Sequence, residues 1–576
     1  MSGGEAAGVT FPASEGGRRS TSALGRAVVA DALARVDPAG ALDARRETNW
    51  RAGYLTHFRR LIEAGLTSKQ AAVSMASDGL ASLHRQMRVV GRDGSETGLE
   101  TLLTTPARCV VTAVTVAGTG AAERELSLPY RGERLCGSAL LRRLEAWVTA
   151  GVIEPSCAAA VRTVAANPDW LALPGRTVVA LGAGAEVGPL PVLLSWGARV
   201  IGVDLPRPAI WERVLETARR SGGTLLVPVA HDKPGEGAEG GEDLARRAGV
   251  DLAGDVPAVA DWLAGVDDPL VLGNYVYADG AANVRVASAV DALTLRLQAE
   301  RRDVALAFLA TPTDVFAVPA DAVAQSVRAY AGRSWAAKLG GGSVRALSVG
   351  RLLRPAYPPG ADPGICDGLV PQQGPNYVLA KRLQRWRATE ARDGGATVSM
   401  NVAPPTRTRS VTKNRVLAAA YAGAPRFGLE VFEPATTKTL MAALLVHDLH
   451  TGGGPEQAHP WQDEAHSAAH GGMWRVPYAP RSALGLAALL GYPAARNTAA
   501  RNKAQQRSGS LPDQRQPPRI RFVARACCGR RPGRGRAASA RPGGRRSARR
   551  STPARYRIRR RTAQAPASGP SPDRSE

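Results

Sequence analysis

Short apolar runs alternate with segments of helical period through the middle of this chain. The first run, Val178–Leu181, is four consecutive apolar residues, as expected for a strand buried on both faces of a parallel sheet. Helical patterns lie between later runs, for example at Ile210–Ser221 and Ala281–Arg301. The further runs predict strands at Val200–Val203, Thr224–Val229, Leu270–Asn274, Val304–Leu309, Thr397–Val402 and Gly428–Phe432. This alternation predicts an α/β fold with a doubly wound parallel sheet.

The patterns on either side of this region differ from it. Residues 1–23 are rich in Gly, Ser and Glu, and from Leu24 the apolar period is helical. From Arg501 onward the chain is nearly all Arg, Ala, Pro, Gly, Ser and Gln, which cannot build a core. We therefore expect a disordered start (1–23), a mainly helical region (24–170), a Rossmann-like nucleotide-binding domain with an insertion at about 320–370 (171–455), a C-terminal extension (456–500) and a disordered Arg-rich tail (501–576).

The net charge of +25 is concentrated in that tail. Residues 501–576 hold 22 Lys and Arg against 3 Asp and Glu, so 19 of the 25 net charges lie there. A disordered polycation can bind nucleic acid through counterion release, and a GC-rich gene translated in a shifted frame would give the same composition. We therefore consider nucleic acid as a partner of the tail alone.

The remaining composition predicts a cytoplasmic protein. The six cysteines show no CxxC pairing, which favours a reducing compartment. No apolar run reaches the roughly 18 residues needed to span a bilayer, and the N-terminus lacks the pattern of a signal peptide. The bias toward Ala, Arg, Gly and Pro is typical of a high-GC bacterial gene. Oligomeric state is left open.

The first apolar run leads directly into a glycine turn. Gly182 and Gly184 follow it, and Gly188 comes four residues later, so the backbone can turn sharply and approach a pyrophosphate. Asp204 ends the next strand, where a carboxylate can accept both ribose hydroxyls. This order predicts a site for an adenine dinucleotide or a related adenosine cofactor. The alternative is an ordinary βαβ unit whose glycines serve packing only.

Two classes of cofactor share this geometry. S-adenosylmethionine methyltransferases usually carry an acid two residues before the first glycine, where this chain has Ala180, which counts against that class. Asp204 favours NAD over NADP because a carboxylate repels a 2′-phosphate, whereas the nearby Arg207 has the opposite effect. We expect NAD or NADP.

A second constellation lies in the segment GPNYVLAKRLQRWRA. Tyr377 and Lys381 stand four residues apart at the start of a predicted helix and share one face. A lysine ammonium there can lower the pKa of the phenol, so that tyrosine acts as a general acid or base. The alternative is an interfacial tyrosine beside a solvated lysine.

The combination resembles the short-chain dehydrogenase/reductase superfamily. That family follows a Tyr-x-x-x-Lys helix with a strand, a Pro-Gly pair and a nearby Thr, and this chain continues with VSMNVAPPTRT. The resemblance covers about residues 176–450. It implies that Tyr377 is the proton donor and that Lys381 is its partner, which also holds the nicotinamide ribose. The residues that match the family's other positions are Asn274, Asn283, Thr406 and Thr408, of which the threonines would contact the nicotinamide carboxamide.

The catalytic hydroxyl of that family lies about a dozen residues before its tyrosine, which corresponds to Gly364 or a neighbour here. Thr311 and Thr313, at the end of the predicted fifth strand, could supply the hydroxyl instead. In that case the insertion at about 320–370 would loop out between them and Tyr377.

These features predict an NAD(P)-dependent oxidoreductase that transfers hydride between nicotinamide and the carbonyl or alcohol carbon of a small molecule. Two alternatives stay open: a non-catalytic nucleotide-binding or scaffold protein, and a methyltransferase that uses S-adenosylmethionine. Five histidines lie between His447 and His470 but match no firm metal motif, and we assign no metal site.

Overall fold

The computed structural model describes residues 7–231, 243–453 and 457–508. Its strands include those of the central region, which follow runs of β-branched and other apolar residues, and several shorter ones. They are β1 (Gly8–Thr10), β2 (Arg88–Val90), β3 (Glu96–Gly98), β4 (Val110–Ala117), β5 (Leu128–Tyr130), β6 (Glu133–Leu135), β7 (Thr177–Leu181), β8 (Arg199–Val203), β9 (Thr224–His231), β10 (Leu270–Asn274), β11 (Ala305–Ala310), β12 (Val315–Val318), β13 (Gly364–Asp367) and β14 (Val398–Val402).

The helices lie before, between and after these strands. Several begin where a Ser, Thr, Asp or Asn side chain accepts from a backbone N–H of the first turn, as Ser68 does from Ala71. They are α1 (Thr21–Leu33), α2 (Pro38–Arg46), α3 (Trp50–Gly65), α4 (Lys69–Gln86), α5 (Gly137–Thr149), α6 (Pro155–Ala166), α7 (Leu190–Ser195), α8 (Pro208–Arg220), α9 (Leu244–Arg247), α10 (Val256–Ala264), α11 (Ala281–Glu300), α12 (Ala320–Ala331), α13 (Trp335–Leu347), α14 (Gly374–Asp393), α15 (Arg409–Lys413), α16 (Arg415–Gly423), α17 (Pro434–His450), α18 (Pro460–Ala465) and α19 (Pro480–Ser508).

A mostly parallel, seven-stranded sheet organises the fold. Its strand order is β14-β11-β10-β7-β8-β9-β4, with six parallel strands and β4 antiparallel to β9 at one edge. In the register, Ala180 lies opposite Gly202 on one side and Gly273 on the other. Because parallel strands end at the same edge, the turns after β7, β8, β10, β11 and β14 converge there.

Both faces of the sheet are buried over its parallel strands. Val178 and Ala180 share a core with residues of α17 such as Leu440, whereas Val179 packs into the opposite core with residues of α11 such as Val290. Alternate side chains of one strand therefore enter two different cores, which explains why the strands are continuous apolar runs.

Six predicted strands of the central region lie in the sheet, but the predicted strand at Gly428–Phe432 is wrong. Gly428 has a φ of +88°, which breaks an extended chain, and the segment makes only an isolated bridge between Phe432 and Thr406. The seventh strand is β4, whose pairing with β9 closes the other edge.

The two ends of the chain also differ from the composition-based expectation. Residues 7–23 were expected to be disordered, yet β1 pairs with β2, and Val9 and Phe11 are buried. These two apolar side chains reach the core because Val9 N donates to Ala253 O at 2.7 Å. At the other end, α19 continues to Ser508, and the rest of the expected tail lies outside the described residues.

Candidate functional site

The turn after β7 is shaped by Gly182. Its φ is +87°, and a Cβ at this position would lie 2.9 Å from Tyr275 O, so a side chain would be both strained and obstructed. Gly182 N and Ala183 N donate to Val203 O at 2.8 and 3.1 Å, which ties the turn to the end of β8. The glycine therefore brings the ends of β7, β8 and β10 into contact.

Asp204 completes this turn. Its Oδ2 accepts from Gly184 N, and its Oδ1 accepts from Leu205 N, each at 2.8 Å. Burial raises the pKa of the Asp204 carboxyl, although the two amides and the neighbouring Arg207 and Arg213 act in the opposite direction. The acid and the second glycine, 20 residues apart in the sequence, are thus directly joined.

The start of α7 offers few amides to a phosphate. The helix has only six residues, and neither Pro189 nor Pro191 carries an N–H. Gly188 N donates to Ala185 O at 3.2 Å, so that amide is already used within the turn. The start of this helix therefore has few free amides for a phosphate, since the turn uses several of its donors internally.

Basic side chains surround the turn instead. Lys438 is partly buried, and burial lowers its pKa, with further lowering by Arg213 and Arg409 and an opposing effect of Glu186. Glu186 Oε2 accepts from Arg409 N at 2.8 Å, which holds the start of α15 against the glycine turn. With Arg207, these cations outnumber the two carboxylates of the turn, so the donor set fits an anionic group such as a cofactor phosphate.

Of this basic set, Arg207 was identified from the sequence, but Arg213, Arg409 and Lys438 were missed. Arg213 lies within the helix that follows Asp204, and this proximity in sequence could have indicated it. Arg409 and Lys438 lie more than 200 residues after Asp204, and no local pattern marks them.

The second predicted constellation gathers at the end of β11. Thr311 Oγ1 and Thr313 Oγ1 lie 2.8 Å apart, and both hydroxyls act to lower the pKa of Tyr377. Burial has the larger effect, so the pKa of Tyr377 is raised overall. The expected lowering by Lys381 is therefore wrong, and the phenol is protonated at neutral pH.

Lys381 lies one turn further along α14. Its Nζ donates to Leu309 O at 3.3 Å and to Gln384 Oε1 at 3.0 Å, and burial lowers the pKa of Lys381 to about 8. Gln384 Nε2 in turn donates to Asn274 Oδ1 at 3.1 Å, at the end of β10. Gln384 was not singled out from the sequence, although its position three residues after Lys381 places both on one helix face.

The other residues matched by resemblance have internal partners. Thr406 is buried, and its hydroxyl donates to Pro404 O at 2.8 Å and lies 2.7 Å from Thr437 Oγ1. Thr408 Oγ1 caps α15 by accepting from Val411 N at 3.4 Å. Asn283 Oδ1 accepts from Ala278 N at 3.1 Å. These residues are not joined by hydrogen bonds to the Tyr377 cluster; they shape the loops beside it.

A buried ion network fixes α14 to the loop after β11. The Asp314 carboxylate accepts from Arg382 Nη2 and from Arg385 Nη1, each at 2.7 Å, and Asp314 is fully buried. On the outer side of α14, a Cβ on Gly79 would lie 2.4 Å from the Trp386 ring, so α4 packs closely here. The network positions Thr311 and Thr313 relative to Tyr377.

Neither a metal centre nor a membrane span is found in the part of the chain that the structure describes. There, no group of three or more His, Cys, Asp or Glu side chains could hold a metal ion. Of the histidine-rich segment, His470 Nε2 is hydrogen-bonded to the buried Glu154 Oε1 at 2.8 Å. Among the same described residues, no helix combines the length and the apolarity that crossing a bilayer requires.

Comparison with known proteins adds little to this description. No protein-family model matches the chain, and no curated protein matches it. Among solved structures, it is similar to the terminal R domain from the myxalamid PKS-NRPS biosynthetic pathway, with a TM-score of 0.24 and 17% sequence identity. The alignment covers 46% of this chain and 61% of that one. A likeness at this level does not assign an activity.

Proposed function

We propose that this chain is an NAD(P)-dependent oxidoreductase with a doubly wound, Rossmann-like domain. The strand order β9-β8-β7-β10-β11-β14 corresponds to 3-2-1-4-5-6 in chain order, and the order reverses between β7 and β10, where ligands bind in such sheets. The proposal rests on one continuous chain of contacts across that point. Gly182 lies against Tyr275, which follows Asn274 in the chain. Asn274 is hydrogen-bonded to Gln384, and Gln384 is hydrogen-bonded to Lys381.

The side chains of this crevice suit the reduction of a carbonyl group. NAD(P)H, when bound, supplies the hydride that adds to the carbonyl carbon. Tyr377, protonated at neutral pH, donates its proton to the carbonyl oxygen, which yields the alcohol. Thr311 and Thr313 orient the phenol through their hydroxyls. Lys381 carries a positive charge below about pH 8 and would hold the ribose of the nicotinamide.

The charges around the glycine turn favour a phosphate-bearing cofactor over S-adenosylmethionine, which has no phosphate and is itself cationic at sulfur. Arg213, Arg409 and Lys438 would interact with the phosphates. Asp204 is placed for the adenosine ribose and favours NAD, whereas Arg207 and Arg213 beside it favour a 2′-phosphate. The proposal therefore includes both NAD and NADP, with a small-molecule carbonyl or alcohol as substrate.

A thermal-shift panel with NAD⁺, NADP⁺, NADPH and S-adenosylmethionine tests the cofactor class. A rise in Tm with a nicotinamide cofactor is expected, and a rise with S-adenosylmethionine alone would overturn the proposal. The chemistry is tested by Tyr377→Phe, which should keep the cofactor-induced rise in Tm but reduce aldehyde turnover by about 10²–10⁴-fold. Tyr330→Phe is the matched control, because Tyr330 lies on α12, where its hydroxyl accepts from Arg345.

One observation favours a second candidate, a nucleotide-binding protein without catalysis. The hydroxyls of Thr406 and Thr408, expected to contact the nicotinamide, are both engaged within the protein. Cofactor binding by the wild-type chain with no turnover of any aldehyde, ketone or alcohol would support this candidate.

A further inference from the structure

An apolar groove opens beside the Tyr377 cluster. The groove is open to solvent at its mouth, and its lining is almost entirely apolar, as in many small-molecule sites. Thr313 forms part of its wall, and the Thr313 hydroxyl lies 2.8 Å from that of Thr311 and acts on the pKa of Tyr377. Pro405, after β14, and Tyr421, on α16, also line it. The groove therefore begins at the reacting end of the proposed site.

The rest of the wall is aliphatic and aromatic. It includes Phe427, Leu429, Leu484 and Ala487, contributed by the turn before α17 and by α19. Arg481 is the one charged residue among those that line the groove, and its Nη1 donates to Asp367 Oδ2 at 2.7 Å. The lining thus favours an uncharged, apolar occupant over an acid or an amine, because burying a charge without a partner is costly.

We infer that this groove holds the hydrocarbon chain of the carbonyl substrate, so that the substrate class is a long-chain, uncharged aldehyde or ketone. The inference rests on the proposed function, since the carbonyl group has to lie at Tyr377 while the chain lies along the wall to which α16 and α19 contribute. Each methylene group buried in the groove should raise kcat/KM about fourfold, until the groove is filled.

The test uses the full-length protein with NADPH or NADH and n-aldehydes from acetaldehyde to decanal. For the wild type, kcat/KM should rise steadily with chain length. Ala487→Trp fills the groove from its α19 wall and should lower kcat/KM for decanal at least 50-fold while acetaldehyde stays within about twofold. Leu484→Glu puts a charge into the groove without adding bulk at the helix crossing and should have the same effect. Leu489→Trp, at a position 69% exposed on the same helix, is the control and should keep decanal turnover.

Two outcomes overturn the inference, and they differ from a failure of the proposed function. Equal kcat/KM for acetaldehyde and decanal in the wild type would mean that the groove binds no chain, although the chemistry would stand. If no aldehyde is turned over, the proposed function fails, and decanol binding then tests the groove by thermal shift. Stabilisation of the wild type by decanol, lost in Leu484→Glu, would support a site for an apolar chain. Absence of binding to the wild type would overturn it.

Discussion

Replacing Lys381 by Met tests the electrostatics of the proposed site most directly. The Lys381 ammonium donates to Leu309 O and Gln384 Oε1 but faces no carboxylate in those contacts, so burial destabilises its charged form. This burial lowers its pKa from 10.5 to about 8 in the folded protein. Methionine has a similar length and no charge, so Lys381→Met removes the titration and keeps most of the packing.

The sign and size of the effect follow from proton linkage. Below pH 8 the lysine is protonated in both states, and the folded state carries the full cost of the buried charge. Between pH 8 and 10.5 the folded protein releases the proton first, so the unfolded chain binds more protons and stability rises with pH. Lowering the pKa of Lys381 from 10.5 to about 8 corresponds to about 3 kcal/mol of folding free energy. About 2–3 kcal/mol of this stability is gained between pH 7 and pH 10.

The assay is urea unfolding of both proteins at pH 7 and pH 10, followed by tryptophan fluorescence. The free energy of unfolding of the wild type minus that of Lys381→Met should increase by about 2–3 kcal/mol between the two pH values. Other titrating groups are common to both proteins and cancel in this difference. Lys413→Met, on the exposed face of α15, provides the baseline for removing a surface lysine. An unchanged difference would refute the argument that Lys381 is desolvated.

Two further substitutions test how the site is held. Asp314→Asn removes the buried carboxylate that Arg382 and Arg385 share. It should lower the free energy of unfolding, measured in urea, by about 3–5 kcal/mol. A loss below about 1 kcal/mol would contradict the proposal that Asp314 holds α14 in place. Gly182→Ala places a Cβ against Tyr275 O at a residue whose φ is +87°. This substitution should lower the free energy of unfolding by at least about 1–2 kcal/mol, measured as a lower Tm. An unchanged Tm would show that the turn can relax.

The strands that could be predicted are those buried on both faces. The runs at Val178–Leu181 and Leu270–Asn274 match β7 and β10 within one residue, because such strands must be apolar at every position. The place of the seventh strand in the sheet could not be predicted, since β4 pairs with β9, which lies more than 100 residues away in the sequence. Local patterns indicate that a segment is extended but do not say which partner it has.

In the candidate site, too, local patterns determine some features and long-range contacts determine the others. The sequence by itself determined the glycine turn, the position of Asp204 and the shared helix face of Tyr377 and Lys381, because short spacings follow from backbone geometry. Only the tertiary structure decided that Thr311 and Thr313 act on the pKa of Tyr377, that Gln384 joins Lys381 to Asn274, and that basic residues of α8, α15 and α17 meet at the turn. It also reversed the expected shift in the pKa of Tyr377. Hydrogen-bond partners and desolvation come from segments far apart in the chain, so they exist only once the whole sheet has assembled.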